Sequence, residues 1–88
     1  MDNEYLLINF NLFTLNHNVS LIRENSVNTF GYFSLEELPE TIVNLCDEYE
    51  TYQVKLHGVG KYLEILETEI KEEESKYYNM NKIEIEVI

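Results

Sequence analysis

The chain has little cysteine, glycine, proline or positive charge: its 88 residues include 1 Cys, 3 Gly, 1 Pro and 6 Lys or Arg. The lone cysteine, Cys46, has no partner for an internal disulfide, so no disulfide framework holds the chain together. Binding to a phosphate backbone needs clustered lysine and arginine, which this sequence lacks. The same lack disfavours anionic membrane surfaces. We therefore predict no direct nucleic-acid partner and no membrane partner.

Long hydrophobic runs are also missing. No segment approaches the roughly 20 apolar residues of a membrane-spanning helix, and Asn9 and Asn11 interrupt the first apolar stretch. Asp2 and Glu4 stand where a signal peptide carries positive charge. These features predict a cytoplasmic protein.

What the chain does contain is acid and aromatic residues: 17 Asp or Glu give a net charge of −11, with 7 Tyr and 4 Phe. This aromatic content argues against intrinsic disorder. The length allows one domain over residues 1–88. A core this small contributes about 3–5 kcal/mol at best, so burial against a partner subunit would add to stability.

Three strands are predicted in the first 33 residues. Glu4 to Phe13 alternates in polarity as a strand does, with Leu6, Ile8, Phe10 and Leu12 on one face and Tyr5, Leu7, Asn9, Asn11 and Phe13 on the other. A strand that is apolar on both faces is typically central in its sheet. Turn residues at 16–18 lead to a second strand at Val19, Leu21 and Ile22. A turn at Asn25 and Ser26 then precedes a third strand from Val27 to Phe33, with Gly31 at a bulge or a bend.

Two helices and two further strands follow. The first helix is predicted to start near Leu38 with Pro39 at its first position, while a capping box from Ser34 to Glu37 is the alternative start. Its apolar stripe comprises Leu38, Ile42, Leu45, Cys46 and Tyr49, which makes Cys46 a core residue. Tyr52 to His57 reads as the fourth strand. Gly58-Val59-Gly60 opens a second helix with the stripe Val59, Tyr62, Leu63, Leu66, Ile70 and Tyr77, and Lys82 to Ile88 is the fifth strand, with Ile83, Ile85 and Val87 inward.

This order predicts an α/β two-layer domain. Three strands joined by short turns form an antiparallel meander, and two helical crossovers add two parallel strands. The expected sheet is five-stranded and mixed, in the order 3-2-1-4-5, with both helices on one face. The uncovered face predicts a homo-oligomer whose interface includes Tyr5, Leu7, Asn9, Asn11 and Phe13. Pairing through the edge of the last strand is the alternative geometry.

The arrangement resembles a minimal ribonuclease H-like fold without its final covering helix. The stretches YLLINFNLFTLNHNVSLI, VKLHGVGKYLEILETEI and NKIEIEVI are similar to small proteins of phages and prophages of low-GC Gram-positive bacteria. The resemblance to ribonuclease H-like nucleases implies metal-binding carboxylates midway along the first strand, on the first helix and at the end of the fourth strand. Asn9, Asn11 and His57 occupy two of these places, and neutral amides do not supply the anionic ligand that Mg²⁺ prefers.

The acids near the first helix, Glu36, Glu37 and Asp47, thus have no partners at the matching places. We predict no enzymatic activity, no metal and no cofactor. His17, in a turn, and His57, at a strand end, are predicted to be surface histidines. Gly58-Val59-Gly60-Lys61 lacks the remaining residues of a phosphate-binding motif, so it is expected only to make a turn.

Both predicted helices are rich in acidic residues. We predict that the residues that bind a partner are Glu48, Glu64, Glu67, Glu72 and Glu74. They favour a phage or prophage accessory protein that binds a basic host protein, with the acids imitating nucleic acid and inhibiting a host enzyme that handles it. One alternative is a self-associating structural or assembly protein. The simpler alternative is that these acids only keep the surface solvated.

Overall fold

Five strands and two α-helices make up the computed structural model, which describes residues 4–11, 13–58, 60–77 and 79–88. In chain order they are β1 (Tyr5–Asn9), β2 (His17–Arg23), β3 (Ser26–Phe33), α1 (Leu38–Tyr49), β4 (Gln53–His57), α2 (Leu63–Glu74) and β5 (Glu84–Val87). The strands form one mixed sheet in the order β3-β2-β1-β4-β5. The predicted α/β class, sheet order and pair of helices are therefore confirmed.

The sheet divides into an antiparallel half and a parallel half that meet at β1. On one side, β1 pairs with β2 and β2 pairs with β3, both antiparallel. On the other side, β1 pairs with β4 and β4 with β5, both parallel. Short turns suffice for the first set, whereas each parallel pair needs a helical crossover, here α1 and α2. The central position predicted for the first strand is thus confirmed.

One face of the sheet carries the core. The buried apolar side chains come from alternate positions of the strands and from both helices: Leu6, Ile8, Val19, Leu21, Leu38, Ile42, Val43, Cys46, Val54, Leu56, Leu66, Ile70 and Ile83. The two helices contact each other as well as this core, so they cover the same face. Val43, which lies outside the predicted stripe of α1, is also fully buried.

The start of α1 follows from its proline. The helix begins at Leu38, with Pro39 in the first turn, where a missing N–H costs no intrahelical hydrogen bond. The backbone N–H of Ser34 donates to Oε2 of Glu37 at 2.9 Å. Ser34 and Glu37, the ends of the predicted capping box, therefore form the turn that precedes the helix. The predicted start near Leu38 is confirmed.

The first strand is shorter than predicted, ending at Asn9 instead of Phe13. Asn11 ends it, because its side-chain Oδ1 accepts hydrogen bonds from the backbone N–H groups of Phe13 and Thr14. Its carbonyl also accepts from Leu15 N–H. An asparagine that bonds the backbone two and three residues ahead makes a turn and not a strand. Leu12, predicted to face the core, lies outside the described residues.

The second strand starts earlier than predicted, at His17 instead of Val19, because the turn occupies the residues before it. Opposite β2, the register of β3 shifts between Val19 and Ser20. Gly31 adopts a φ of +125° beside this bulge, a conformation that side chains disfavour. The bulge predicted at Gly31 is confirmed.

The second crossover also differs from prediction in its bounds. A 3₁₀ turn, Gly60–Tyr62, precedes α2, and Val59 lies outside the described residues. The fifth strand begins at Glu84 instead of Lys82, because the backbone N–H of Ile83 donates to a side chain of α2 and not to β4. Ile83 and Ile85 pack on the core side as predicted, but Val87 is 47% exposed.

Candidate protein-binding surfaces

The first candidate surface is acidic and belongs to α1 with its flanking turns. Between Phe33 and Lys55 the sequence has six acids, Glu36, Glu37, Glu40, Asp47, Glu48 and Glu50, and no base. All six are exposed, since the opposite face of α1 packs on the sheet. Glu48, predicted as a partner-binding residue, lies within this group. Such a surface attracts cations and repels nucleic acid.

The acids of α2 are less uniform. Glu64 and Glu72 are exposed, and Glu67 is half-buried. Glu74 is engaged inside the chain: its Oε2 accepts from Ile83 N–H at 2.6 Å, and its Oε1 lies 3.4 Å from Nζ of Lys71. Lys71 in turn donates to the carbonyl of Ile83 at 2.7 Å. Glu74 therefore holds the entry to β5, a role that the sequence pattern did not predict.

The acids of α1 do not take part in the close ion pairs of the described residues. In the described ranges the salt bridges are Arg23–Glu4, Lys55–Glu86, Lys71–Glu74 and Lys76–Glu73. None of these includes an acid of the α1 segment. Because α1 and α2 contact each other, the exposed acids of both helices form one acidic layer, called the helix layer below.

The second candidate surface is the side of the sheet that the helices leave uncovered, called the sheet face below. Tyr5, Ile22 and Val27 stand side by side across β1, β2 and β3 in the strand register, and Leu7 lies one row along β1. Val27 is 63% exposed, whereas Tyr5, Leu7 and Ile22 are half-buried. An exposed apolar row of this kind is typical of an interaction surface.

The sheet face is close to neutral, unlike the helix layer. Its charged side chains come from β4 and β5: Lys55 Nζ lies 3.8 Å from Oε1 of Glu86, and Oε1 of Glu84 accepts a hydrogen bond from Nε2 of Gln53 at 3.4 Å. The ammonium of Lys55 also lies 4.2 Å from the ring centroid of Tyr5. Most of the exposed acids in the described ranges thus lie on the helix side, whereas the sheet face has only Glu84 and Glu86 beside Lys55.

The predicted interface residues do not all share the sheet face. Tyr5 and Leu7 lie on it, and Asn9 lies at its end, at the last position of β1. Asn11 and Phe13 belong to the turn that follows, where Phe13 is fully exposed. The interface prediction therefore places two of its five residues beyond the strand.

Asn9 and His57, which stand at two of the places that the resemblance assigns to metal ligands, do meet. Asn9 and His57 are register partners on the parallel strands β1 and β4, and Asn9 Oδ1 lies 2.9 Å from His57 Nδ1. Around them an open cavity of about 510 Å³ is lined by Asn9, Phe10, Asn11, Phe13, Asn16, Asn18, Tyr32, His57 and Gly58. No acidic residue of the described part of the chain lines it. Among the described residues, no group of three or more His, Cys, Asp or Glu is placed to hold a metal ion.

His17 is the residue that the sequence interpretation misplaced. It was predicted to be a surface histidine in a turn, but it opens β2 and is only 1% exposed. Its Nδ1 accepts a hydrogen bond from Asn11 N–H at 3.1 Å, and its ring lies 4.6 Å from that of Phe10. Burial lowers the pKa of His17 below its usual value. His17 lies two residues before Val19 and four before Leu21. Because alternate residues of a strand share one face, this spacing indicates that its side chain points toward the core. His57, by contrast, is exposed as predicted.

Two other predicted features can be compared with the structure directly. Cys46 is fully buried, and its pKa is raised to about 12, mainly by burial and further by Glu74, so its thiol is a core group as predicted. At Gly58, with a φ of +78°, a Cβ would lie 3.4 Å from the carbonyl oxygen of Phe10. A turn with a positive φ and close backbone packing accounts for this glycine.

Comparisons with known proteins give no relative: no family model matches the chain, and searches of curated proteins and of solved structures found no match. The likeness to the ribonuclease H fold and to phage proteins therefore stays a prediction. No helix in the described ranges is both long enough and apolar enough to cross a bilayer.

Proposed function

We propose that this chain is a non-enzymatic accessory protein, of phage or prophage origin and with a ribonuclease H-like fold, which binds a basic protein in the host cytoplasm. The observation that carries this proposal is the segregation of charge: six exposed acids around α1, without a base among them, face away from a nearly neutral sheet. Acids ordered on one rigid layer attract a basic surface and speed its association.

A surface of this kind also suits the imitation of nucleic acid. Acids along two packed helices present repeated negative charge, as phosphates do, and a basic site on an enzyme that handles nucleic acid is the natural complement. The Asn, Ile, Glu and Tyr bias of the chain supports the phage origin. The absence of carboxylates at Asn9 and His57 supports a binding role and not a nuclease role.

Capture from a host lysate tests the proposal. The immobilised chain is expected to retain a basic nucleic-acid enzyme from a low-GC Gram-positive lysate, with retention that weakens as salt screens the charges. A triple variant, E36Q/E40Q/E48Q, removes three exposed negative charges and should lower affinity by about tenfold if each contributes about 0.5 kcal/mol. The matched variant E36D/E40D/E48D keeps all three charges and should retain binding. Equal capture by both variants would contradict the electrostatic role of α1.

The sheet face favours a second candidate, a self-associating structural or assembly protein. Tyr5, Leu7, Ile22 and Val27 form an exposed apolar row, and this nearly neutral face can meet its own copy without bringing the acidic layers together. Burial of that row in a homodimer would add hydrophobic stabilisation to a small core.

Sedimentation equilibrium at micromolar concentration tests self-association. A homodimer has twice the chain mass of 10.5 kDa, and Leu7→Glu, which places a charge in the centre of the sheet face, should return it to the monomer mass. Ile65→Glu is the control, because Ile65 is exposed on α2, away from this face. A wild-type protein that sediments as a monomer would refute this candidate.

A further inference from the structure

The outer edge of β5 has unpaired backbone groups. Glu84 N–H donates to Tyr52 at 2.8 Å and Ile88 N–H donates to Leu56 at 3.0 Å, so alternate residues of β5 point their backbone groups toward β4. The N–H and C=O groups of Ile85 and Val87 consequently point the other way. Among the described strands none pairs with that side, since β5 is last in the sheet order. An edge of this kind is a template for another strand.

This edge lies in a groove whose wall is α2. The groove encloses about 820 Å³ and is lined by Glu67, Thr68, Lys71, Glu72, Ser75, Lys82, Ile83, Glu84 and Ile85. Lys71 is occupied by Glu74 and by the carbonyl of Ile83, so its charge is already balanced. The α2 wall is therefore acidic on balance, with Glu67 and Glu72 facing the same space, while Lys82 lines the groove just before β5.

One end of the groove is apolar. Ile65 precedes Thr68 by one turn on the same stripe of α2 and is 56% exposed. Val87 pairs with Leu56 near the C-terminal end of β4. Because α2 follows β4 in the chain, its N-terminal half, which contains Ile65, starts from the same end of the sheet. Ile65 and Val87 therefore lie at the same end, where both expose apolar surface. An occupant with an apolar side would cover them.

A second copy of β5 does not fit this edge. In an antiparallel pair that uses the outward groups of Ile85 and Val87, one register sets Glu86 opposite its own copy. The neighbouring register sets Glu84 opposite Glu86. Like charges directly opposite each other destabilise strand pairing. Positively charged side chains at every second position would instead meet Glu84 and Glu86, which are two residues apart on the outer face.

We propose that the groove between β5 and α2 binds an extended segment of a basic partner by strand addition, with lysine or arginine alternating with apolar residues. The backbone groups of Ile85 and Val87 supply the hydrogen bonds, and Glu84 and Glu86 on the outer face of β5 select the charge. The apolar positions of the segment cover Val87. This inference rests on the proposed function, of which it names the partner segment and its mode of binding.

A synthetic capped heptapeptide of alternating lysine and valine serves as the probe, titrated into the isotope-labelled full chain and followed by NMR. We expect the amide signals of Ile85 and Val87 to shift most, with intermolecular contacts between backbone protons of peptide and β5. The peptide of alternating glutamate and valine should not bind. A lysine–glycine peptide of equal charge should bind more weakly, because glycine disfavours strands. Equal binding of the lysine–valine and glutamate–valine peptides would overturn the charge selection.

Val87→Pro removes one outward N–H while leaving the bonds between β5 and β4 intact. We expect it to weaken the lysine–valine peptide at least about tenfold, roughly the loss of one hydrogen bond of 1.4 kcal/mol, whereas Val87→Ala changes affinity less. Unchanged signals from Val54 and Leu56 verify that β4 keeps its partner. The intermolecular contacts in the unmodified chain provide a test that does not depend on the variant folding.

The outcomes separate this inference from the proposed function. Peptide binding whose shifts map to α1, with Val87→Pro binding as wild type, overturns strand addition but leaves the helix layer as a basic-protein surface. Absence of peptide binding together with salt-sensitive capture of a basic protein from lysate overturns this inference alone. Absence of both overturns both.

Discussion

Replacing His17 by leucine should change the pH dependence of stability as well as stability itself. The imidazole is almost fully buried, and its unprotonated Nδ1 accepts the hydrogen bond from Asn11 N–H. Leucine keeps an apolar side chain of similar size at this position but offers no acceptor. Leaving a donor unsatisfied costs about 1–3 kcal/mol. Because Asn11 is itself exposed and water can reach it, we expect a loss near the lower limit, about 1 kcal/mol at pH 7.

The pH dependence follows from the lowered pKa of His17. A buried imidazole whose pKa lies below the unfolded value of about 6.5 takes up its proton more readily in the unfolded chain. Stability is then fully present above pH 6.5 and is lost as the pH falls from 6.5 through the lowered folded pKa. Glu36 lines the same cavity as His17, yet burial dominates the shift. The difference in unfolding free energy between wild type and His17→Leu should therefore shrink as the pH falls.

Urea denaturation followed by circular dichroism at steps between pH 7.5 and pH 5.0 measures this difference. The range stops above the region where carboxylates titrate. His57→Gln is the matched control, because it removes the exposed histidine and leaves the buried imidazole of His17 in place. A gap between wild type and His17→Leu that stays constant across the range would refute the assignment of a buried, neutral imidazole.

Further expectations concern the core, the thiol and the bulge. Leu56→Ala, at a fully buried position near the end of β4, should lower the unfolding free energy by about 2–5 kcal/mol. Phe13→Ala, at a fully exposed side chain, should change it by less than about 0.5 kcal/mol. Urea denaturation compares the two, and equal losses would contradict the observed burial. Cys46, with a pKa of about 12, should react with a thiol reagent at pH 8 only after urea unfolds the chain, and rapid reaction of the folded protein would contradict its burial. Gly31→Ala should cost about 1–3 kcal/mol, because its φ of +125° lies outside the left-handed region that Gly60 occupies at +53°. The melting temperature of Gly31→Ala should therefore be lower than that of the control Gly60→Ala, and equal melting temperatures would contradict this account.

Much of the fold could be predicted because local signals agreed with one another. Alternating polarity identified the strands, Pro39 fixed the start of α1, and Gly31 marked a bulge. The sheet order then followed from chain connectivity, since short turns give antiparallel neighbours and helices give parallel ones. These features depend on residues close together in the chain.

The predictions were wrong where one residue type is compatible with two local structures. Asn11 continues the alternation of the first strand, but its Oδ1 accepts from the following backbone and ends that strand. His17 lies between two asparagines and so reads as a turn residue, although its spacing from Val19 directs it inward.

The same reason limits what could be predicted of the surfaces. Exposure of acids on the helices follows from the helical pattern, and Glu48, Glu64 and Glu72 are exposed as it requires. The engagement of Glu74 by Ile83 N–H and Lys71 depends on where β5 begins, which only the tertiary structure gives. Helical periodicity alone does not separate a glutamate that fastens a strand from one that meets solvent.

The position of β1 between an antiparallel and a parallel neighbour has a consequence for how the chain folds. Its contacts with β2 join residues at most 17 positions apart, as from Tyr5 to Ile22, whereas the contact of Asn9 with His57 spans 48 positions. Closing the longer loop costs more chain entropy before any contact repays it. We therefore expect β1, β2 and β3 to associate early and the parallel half to add afterwards. Core substitutions in β2 should then slow folding, whereas those in β5 should mainly speed unfolding.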